Sequence, residues 1–305
     1  MNKAERIAAR AEANPFLGIR ELAREFNTCP AQVRRVLRRN GLYEERKVQK
    51  KPLVQVLVPK YKNVVCTEAL ITDIHIPFHD EEALGIALGF LRDLKPDRIN
   101  LGEILDFHQV SVHAKTPEGR DFEEEIALGR SFLWQVRSDH PHAQIDLEGG
   151  NHNGDRWAKW LAASVLKDVD NLDIEELLYL DDLGINYVSA FDELATTGRP
   201  TRYGELFHLH GHEANVAWRS VNVARNMWIK LRYNCIFGHF HKSQEYINTD
   251  IKGRQTGAWS VGCLCDLHPR FMPVNDWNHG FAVVYYHDDG TFQVQNLKIV
   301  DGMVL

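Results

Sequence analysis

Asp73-Ile74-His75, Gly102-Glu103-Ile104-Leu105-Asp106, Gly150-Asn151-His152, His210-Gly211 and Gly238-His239-Phe240-His241 are five short clusters, each following an apolar, strand-like run. Carboxylate, imidazole and amide groups suit borderline divalent ions, and a pair of such ions is a general device for attacking phosphate esters. In an extended chain residues two apart point the same way, so Asp73 with His75, and His239 with His241, can converge beyond a strand end. Gly102, Gly150, Gly211 and Gly238 let the backbone turn and approach closely. Any one cluster alone reads as ordinary polar residues; their ordered co-occurrence points to a shared site.

In that order the clusters resemble the calcineurin-like metallophosphoesterases, whose motifs run Asp-x-His, Gly-Asp-x-x-Asp, Gly-Asn-His-(Glu/Asp), His and Gly-His-x-His. The match spans residues 66–300. The resemblance implies one metal on Asp73, His75 and His241, a second on Asn151, His210 and His239, and Glu103 as the bridge between them. It makes His152 the catalytic histidine, oriented by Asp106; if protonated, that histidine could stabilise the developing charge or give a proton to the leaving oxygen. The cofactors it implies are two divalent ions, Mn first, with Fe, Zn, Ni or Mg as alternatives. Attack on phosphorus would come from a hydroxide bridging them.

Two positions depart from the family pattern. Its bridge is an aspartate, and the extra methylene of Glu103 moves the carboxylate by about 1.5 Å, which predicts reduced activity. Asn153 stands where an acid is usual; Asp155 carries a charge nearby but at a shifted spacing, and is left unassigned. His208 and His212 flank His210, and only His210 is taken as a ligand. His79, His108, His113, His140, His142, His268, His279 and His287 are read as ordinary hydrogen-bonding residues, and Trp277, Gly280 and Phe281 as packing.

Strands that place these clusters are expected at Thr67–Thr72, Arg98–Leu101, Gln144–Leu147, Leu206–Leu209, Asn234–Phe237, Phe281–Tyr286 and Thr291–Ile299, with helices at Glu82–Leu94, Glu123–Val136 and Ala214–Lys230. Early alternation of strand and helix followed by β-rich sequence indicates stacked sheets flanked by helices. With the resemblance, the expected fold is an α/β four-layer αββα sandwich over residues 66–305.

Ahead of it, residues 1–45 read as three short helices. Residues 3–13 are rich in Ala, Arg and Glu; Ile19, Leu22, Ala23 and Phe26 form one apolar stripe, and Val33, Val36 and Leu37 another. Arg34, Arg35, Arg38 and Arg39 fall opposite the last stripe. Residues 19–38 resemble a helix-turn-helix, with Asn27 in place of the usual turn glycine. That resemblance implies a small all-α DNA-binding domain, reading DNA through those four arginines, and admits a homodimer because such domains commonly work in pairs. Residues 46–65 read as a linker, with Leu53–Val58 as an added edge strand.

Charge divides the 305 residues in the same way. The net charge is −6, yet residues 1–51 hold 13 Lys/Arg against 6 Asp/Glu and the remainder 23 against 36. A basic front attracts a polyanion that the acidic remainder repels until cations offset its carboxylates. Five scattered cysteines argue against a disulfide framework, and Cys263 and Cys265 are read as structural because no second thiol pair accompanies them. No apolar run is long enough to span a bilayer and the start is polar, so the expectation is a cytoplasmic protein without membrane contact. Chains pairing these two domains resemble bacteriophage and prophage proteins, in which case the compartment is the host cytoplasm. The function expected is a metal-dependent nuclease cutting DNA phosphodiesters. The alternatives are a phosphomonoesterase acting on nucleotides, DNA ends or phosphoproteins, and a DNA-binding regulator with an impaired site.

Overall fold

The structure, a computed structural model, describes residues 2–13, 19–28, 30–42, 63–111, 121–189, 201–217 and 220–305. Most of the expected linker and the Leu53–Val58 strand lie outside the described residues. The chain divides into two units, Met1–Gln55 and Val56–Leu305.

In the first unit, helices α1 (Lys3–Ala13), α2 (Ile19–Glu25) and α3 (Pro30–Arg39) bury Ile7, Ala11, Leu22, Ala23, Val33, Val36 and Leu37 against one another. These are the apolar positions at helical spacing, so the pattern that forms each helix also docks it. Asn27 takes up the left-handed turn after α2 at φ 43. Arg34, Arg35, Arg38 and Arg39 remain exposed.

In the second unit, the elements run β1 (Val64–Ile71), α4 (Glu81–Leu94), β2 (Arg98–Gly102), α5 (Phe122–Asp139), β3 (Gln144–Gly149), α6 (Trp157–Ala163), α7 (Ile174–Leu178), α8 (Leu180–Leu183) and β4 (Ile185–Ser189). Then follow β5 (Arg202–Tyr203), β6 (Leu206–Leu209), α9 (Val223–Leu231), β7 (Cys235–Phe237), β8 (Gln244–Thr249), β9 (Gln255–Ser260), β10 (Gly280–His287), β11 (Phe292–Val300) and β12 (Met303–Val304). A seven-stranded sheet has the order β12-β11-β10-β1-β2-β3-β4, and a five-stranded sheet the order β5-β6-β7-β9-β8. Strands β1 to β4 are mutually parallel, as are β6, β7 and β9.

Alternation along the strands builds the layers. Ala69 and Ile71 of β1, with Phe281, Val283 and Tyr285 of β10, pack under α4 and α5, while Leu70, Ala282, Val284 and Tyr286 face Ile236 and Trp259 of the other sheet. Cys235 and Phe237 of β7 and Ala258 of β9 turn outward onto Val223, Ala224 and Met227 of α9. The result is helix, sheet, sheet, helix. Each of these large apolar side chains stabilises the fold by about 1.5–3 kcal/mol when fully buried. Asp80 and Asp121 cap α4 and α5 by accepting from Glu82 and Ala83, and from Glu123, contributing about 1 kcal/mol apiece.

The helix expected over Ala214–Lys230 is shorter. Among its described residues only Val223–Leu231 is α-helical, and His212–Ala214 makes a single 3-10 turn that Asn215 closes at φ 47. Strands β4, β5, β8, β9 and β12 are additional to those expected: β5 and β12 are two residues each, β8 is an edge strand with alternate residues exposed, and β9 opens Gln-Thr-Gly, so neither β8 nor β9 carries a continuous apolar run.

Candidate metal centre

Every expected ligand sits just past the carboxyl end of a parallel strand, where open α/β sheets present their ligands. Asp73 and His75 follow β1, Glu103 follows β2, Asn151 follows β3, His210 follows β6, and His239 and His241 follow β7. Five of these seven adopt left-handed backbone: Asp73 (φ 55), His75 (51), Glu103 (44), His239 (67) and His241 (59). Such conformations cost on the order of 1–3 kcal/mol each in non-glycine residues and persist only where the surroundings over-determine them. Here main-chain bonds do so: Asp73 N to Gly102 O (3.1 Å), His75 N to Glu103 O (3.1 Å) and Asn278 N to His241 O (2.9 Å). His239 N donates to Asp73 Oδ2 at 2.8 Å, tying the two sheets together at the site.

Two glycines make room. A methyl group on Gly238 would meet Asp73 Oδ2 at 2.5 Å, and one on Gly150 would meet Glu103 Oε1 at 2.1 Å and His210 Cγ at 2.7 Å. Neither position tolerates a side chain without displacing an expected ligand.

The structure brings the expected ligands together as two groups of three. In the first, His75 Nε2 and His241 Nε2 are 3.2 Å apart, and Asp73 Oδ1 lies 3.7 Å from the one and 3.5 Å from the other. Ligand atoms of a tetrahedral ion bound at about 2.1 Å lie about 3.4 Å apart, so this trio is spaced as a cation would hold it. Asp73 Oδ1 is buried and has no hydrogen-bond partner, as a donor atom reserved for a cation would be. In the second trio, Asn151 Oδ1 lies 2.7 Å from His210 Nε2 and 2.9 Å from His239 Nδ1, drawn in to hydrogen-bond distance. The donor sets, two imidazoles with a carboxylate and two imidazoles with an amide, fit first-row divalent ions.

Electrostatics follow from burial. Burial works against ionising Asp73, but His241 and His75 hold it well below the usual carboxylate range. Against the same burial, Asp106 and Asp73 raise His75 to about 10, and Asp73 raises His241 to about 9. Burial pushes Glu103 up to about 8 and His239 down to about 3. Asn151, His152 and His239 keep partial exposure while Asp73 and Glu103 have none, so the floor is dry and the open side lies along Asn151, His152 and His239.

Glu103 lies with His75 and His152, and both its oxygens accept from the His152 amide at 3.0 and 2.9 Å. The Asn153 amide adds a third bond at 3.2 Å. The longer side chain therefore docks on the turn Asn151–Arg156, which begins beyond β3. Asn153 is fully buried and accepts from Leu105 N at 3.0 Å, fastening that turn to the loop after β2. Asp155 pairs with Lys159 at 2.7 Å and stands 3.8 Å from His212.

Burial and the positive charge of His75 push His152 down to about 4. Its Nδ1 lies 2.8 Å from the Asp106 carbonyl oxygen, and 3.5 Å from the Asp106 carboxylate. That carboxylate also lies 3.4 Å from His75 Nδ1 and 3.4 Å from Arg156 Nη1, so Asp106 serves three cationic or polar groups.

Several contributors escaped the sequence reading. Glu213 accepts from His210 N at 3.1 Å and Gly211 N at 2.6 Å; its position three residues beyond His210 was the available signal. Cys265 Sγ lies 3.6 Å from His241 Nδ1, and Cys263 joins the same buried group, so this thiol pair sits behind a ligand rather than in plain core. Trp277 packs edge-on against His241 with centroids 4.1 Å apart. His208 is directed between the sheets, 3.0 Å from the Tyr286 hydroxyl, and does not join either trio.

No family model and no curated protein matches the sequence. Among solved structures the chain is similar to a single-mutant form of Vps29 from Entamoeba histolytica, at 13% identity and TM-score 0.39, over 78% of this chain and 96% of that one. It is likewise similar to Vacuolar Protein Sorting 29 from Cryptosporidium parvum, at 13% identity and TM-score 0.42, over 80% and 96%. Likeness at this level says nothing of activity or partners. Among the described residues no helix is long and apolar enough to cross a membrane.

Proposed function

We propose that the chain is a divalent-metal-dependent phosphoesterase whose substrates are DNA phosphodiesters. The observation that carries the reading is the meeting of Asp73, His75 and His241 at 3.2–3.7 Å, beside a second trio of Asn151, His210 and His239. Divalent ions held there supply Lewis acidity and ionise water near neutral pH. The protein contributes the rest. Asp73, held ionised, brings negative charge to a dry floor, which favours cations, and it links the sheets so that the trios cannot drift apart. Strained backbone holds the imidazoles in place before substrate arrives, so little reorganisation remains.

The finer claim, DNA as substrate, is supported by the basic first unit with its exposed Arg34, Arg35, Arg38 and Arg39. Purified protein in Mn²⁺ is offered a phosphodiester dye ester, a phosphomonoester dye ester, and circular single- and double-stranded DNA. Turnover of the diester and DNA is the expected result. Monoester turnover alone would transfer the assignment to a phosphatase. The regulator reading has one observation in its favour, the turning of both Glu103 oxygens onto a peptide amide. It would be established by inertness toward all four substrates with DNA still retained on a gel.

A further inference from the structure

Cys263 and Cys265 follow β9 and stand on either side of Leu264. In an extended chain residues two apart share a face, and here Leu264 turns into the apolar core while both thiols gather at the ring of His241. The backbone that carries them is fastened on two sides. Leu264 N donates to Asp73 O at 3.1 Å, Cys263 N to Asn278 O at 3.1 Å, and Gly280 N to Cys263 O at 3.2 Å. Asn278 N in turn donates to His241 O at 2.9 Å, so ring and thiols share one hydrogen-bonded frame.

All three residues are buried, and one donor atom from each lies within 4.8 Å of the other two. Cys265 Sγ is 3.6 Å from His241 Nδ1. An ion bound tetrahedrally at about 2.1 Å from nitrogen and about 2.3 Å from sulfur holds those two atoms about 3.6 Å apart, so the pair already has the separation that coordination requires. Cys235 shows the contrast: it is equally buried, but its thiol packs among Leu209, Met227 and Phe237 in an apolar cluster.

We propose that Cys263, Cys265 and Nδ1 of His241 form a further site, distinct from the two trios, for one thiophilic divalent cation of the Zn²⁺ class. Sulfur donors beside an imidazole select Zn²⁺ over Mn²⁺, whereas carboxylate, amide and imidazole donors such as those of the trios accept either. Three protein donors leave one coordination position open, as in other Cys₂His zinc sites. Coordination replaces both S–H hydrogens, which pass to solvent. His241 faces the first trio with Nε2 and the thiols with Nδ1, so an ion here would hold that ring from behind. The site stands or falls independently of any phosphoesterase activity.

Cd²⁺ is the probe, because sulfur ligation alone gives it a strong ultraviolet charge-transfer absorption. Metal-free full-length protein titrated with Cd²⁺ should develop that band and saturate it at about one equivalent of sulfur-bound ion. C263S/C265S, which keeps Cys29, Cys66 and Cys235, should lose the band. D73N should retain it, since Asp73 belongs to the first trio and supplies none of the three donors. A wild type without the band, a band that survives in C263S/C265S, or one lost with D73N would each overturn the site. Where circular dichroism shows that the double variant does not fold, X-ray absorption at the cadmium edge of the wild type decides. Two sulfurs and an imidazole nitrogen around the ion are expected there, and a shell of oxygen and nitrogen alone would overturn the assignment.

Discussion

Glu103 turns its carboxyl group onto peptide hydrogens. Both oxygens rest on the amides of His152 and Asn153, at 2.9–3.2 Å. Glu103→Asp withdraws the carboxylate by about 1.5 Å, off those amides. Two readouts should then move in opposite directions. Stability should fall by about 1–3 kcal/mol, because buried N–H groups lose their acceptor, and the Mn²⁺ concentration giving half-maximal activity should fall as the carboxylate becomes free for cations. Urea titration and a metal-activation curve measure the two, and an unchanged activation curve would rule Glu103 out as a ligand. Asp73 is the complementary case. Asp73→Asn keeps an acceptor for His239 N but removes the charge shared by the first trio, so bound metal by elemental assay should drop by about one equivalent with the circular dichroism unchanged.

Between the sheets, the element that decides behaviour is a buried polar layer rather than an apolar one. Glu68 of β1 is fully buried, accepts from the Tyr286 hydroxyl at 2.6 Å, and is pushed by burial up to about 7 from 4.5. Its folded-state pKa is the higher one, so the folded chain retains a proton that the unfolded chain has lost across that window. Stability is therefore greatest below about pH 4.5 for this group and declines as pH rises through 7, by on the order of 3 kcal/mol in all. Glu68→Gln removes the titration. The Tm of the variant relative to wild type should climb steadily between pH 5 and pH 8, and parallel Tm curves would contradict the assignment. The sequence announces the strands around this layer to within a few residues because Ala69, Ile71, Ile99, Leu101, Ile145 and Leu147 form dense apolar runs. It also announces where the candidate ligands gather, because each follows such a run directly. What it hides depends on the third dimension. Arg156 and Cys265 acquire their contacts only when turns from different strands meet, Asn215 closes a 3-10 turn by one left-handed residue, and β8 is stabilised by pairing with β9 rather than by its own composition.

At the scale of the whole molecule the opposite charges of the two units set the question of recruitment. Residues 1–51 carry 13 Lys/Arg against 6 Asp/Glu, and the remainder 23 against 36. A duplex approaching the acidic unit alone meets net repulsion, whereas phosphates meeting α3 would be neutralised by Arg34, Arg35, Arg38 and Arg39, all four exposed, and would release their condensed counterions to solvent. Replacing the four by alanine in the full chain leaves the buried stripe of Val33, Val36 and Leu37 intact, so the unit should keep its fold. The salt dependence of DNA retention should then flatten by about 0.9 in log–log slope for each arginine that contacts phosphate. A dye ester has no polyanionic backbone to be captured, so its kcat/KM should stay at the wild-type value. Loss of both activities together would mean that the arginines hold the centre rather than the substrate. An unaltered DNA slope would mean that α3 faces something other than nucleic acid, and the substrate would then have to be sought among small phosphate esters that the centre can bind without recruitment.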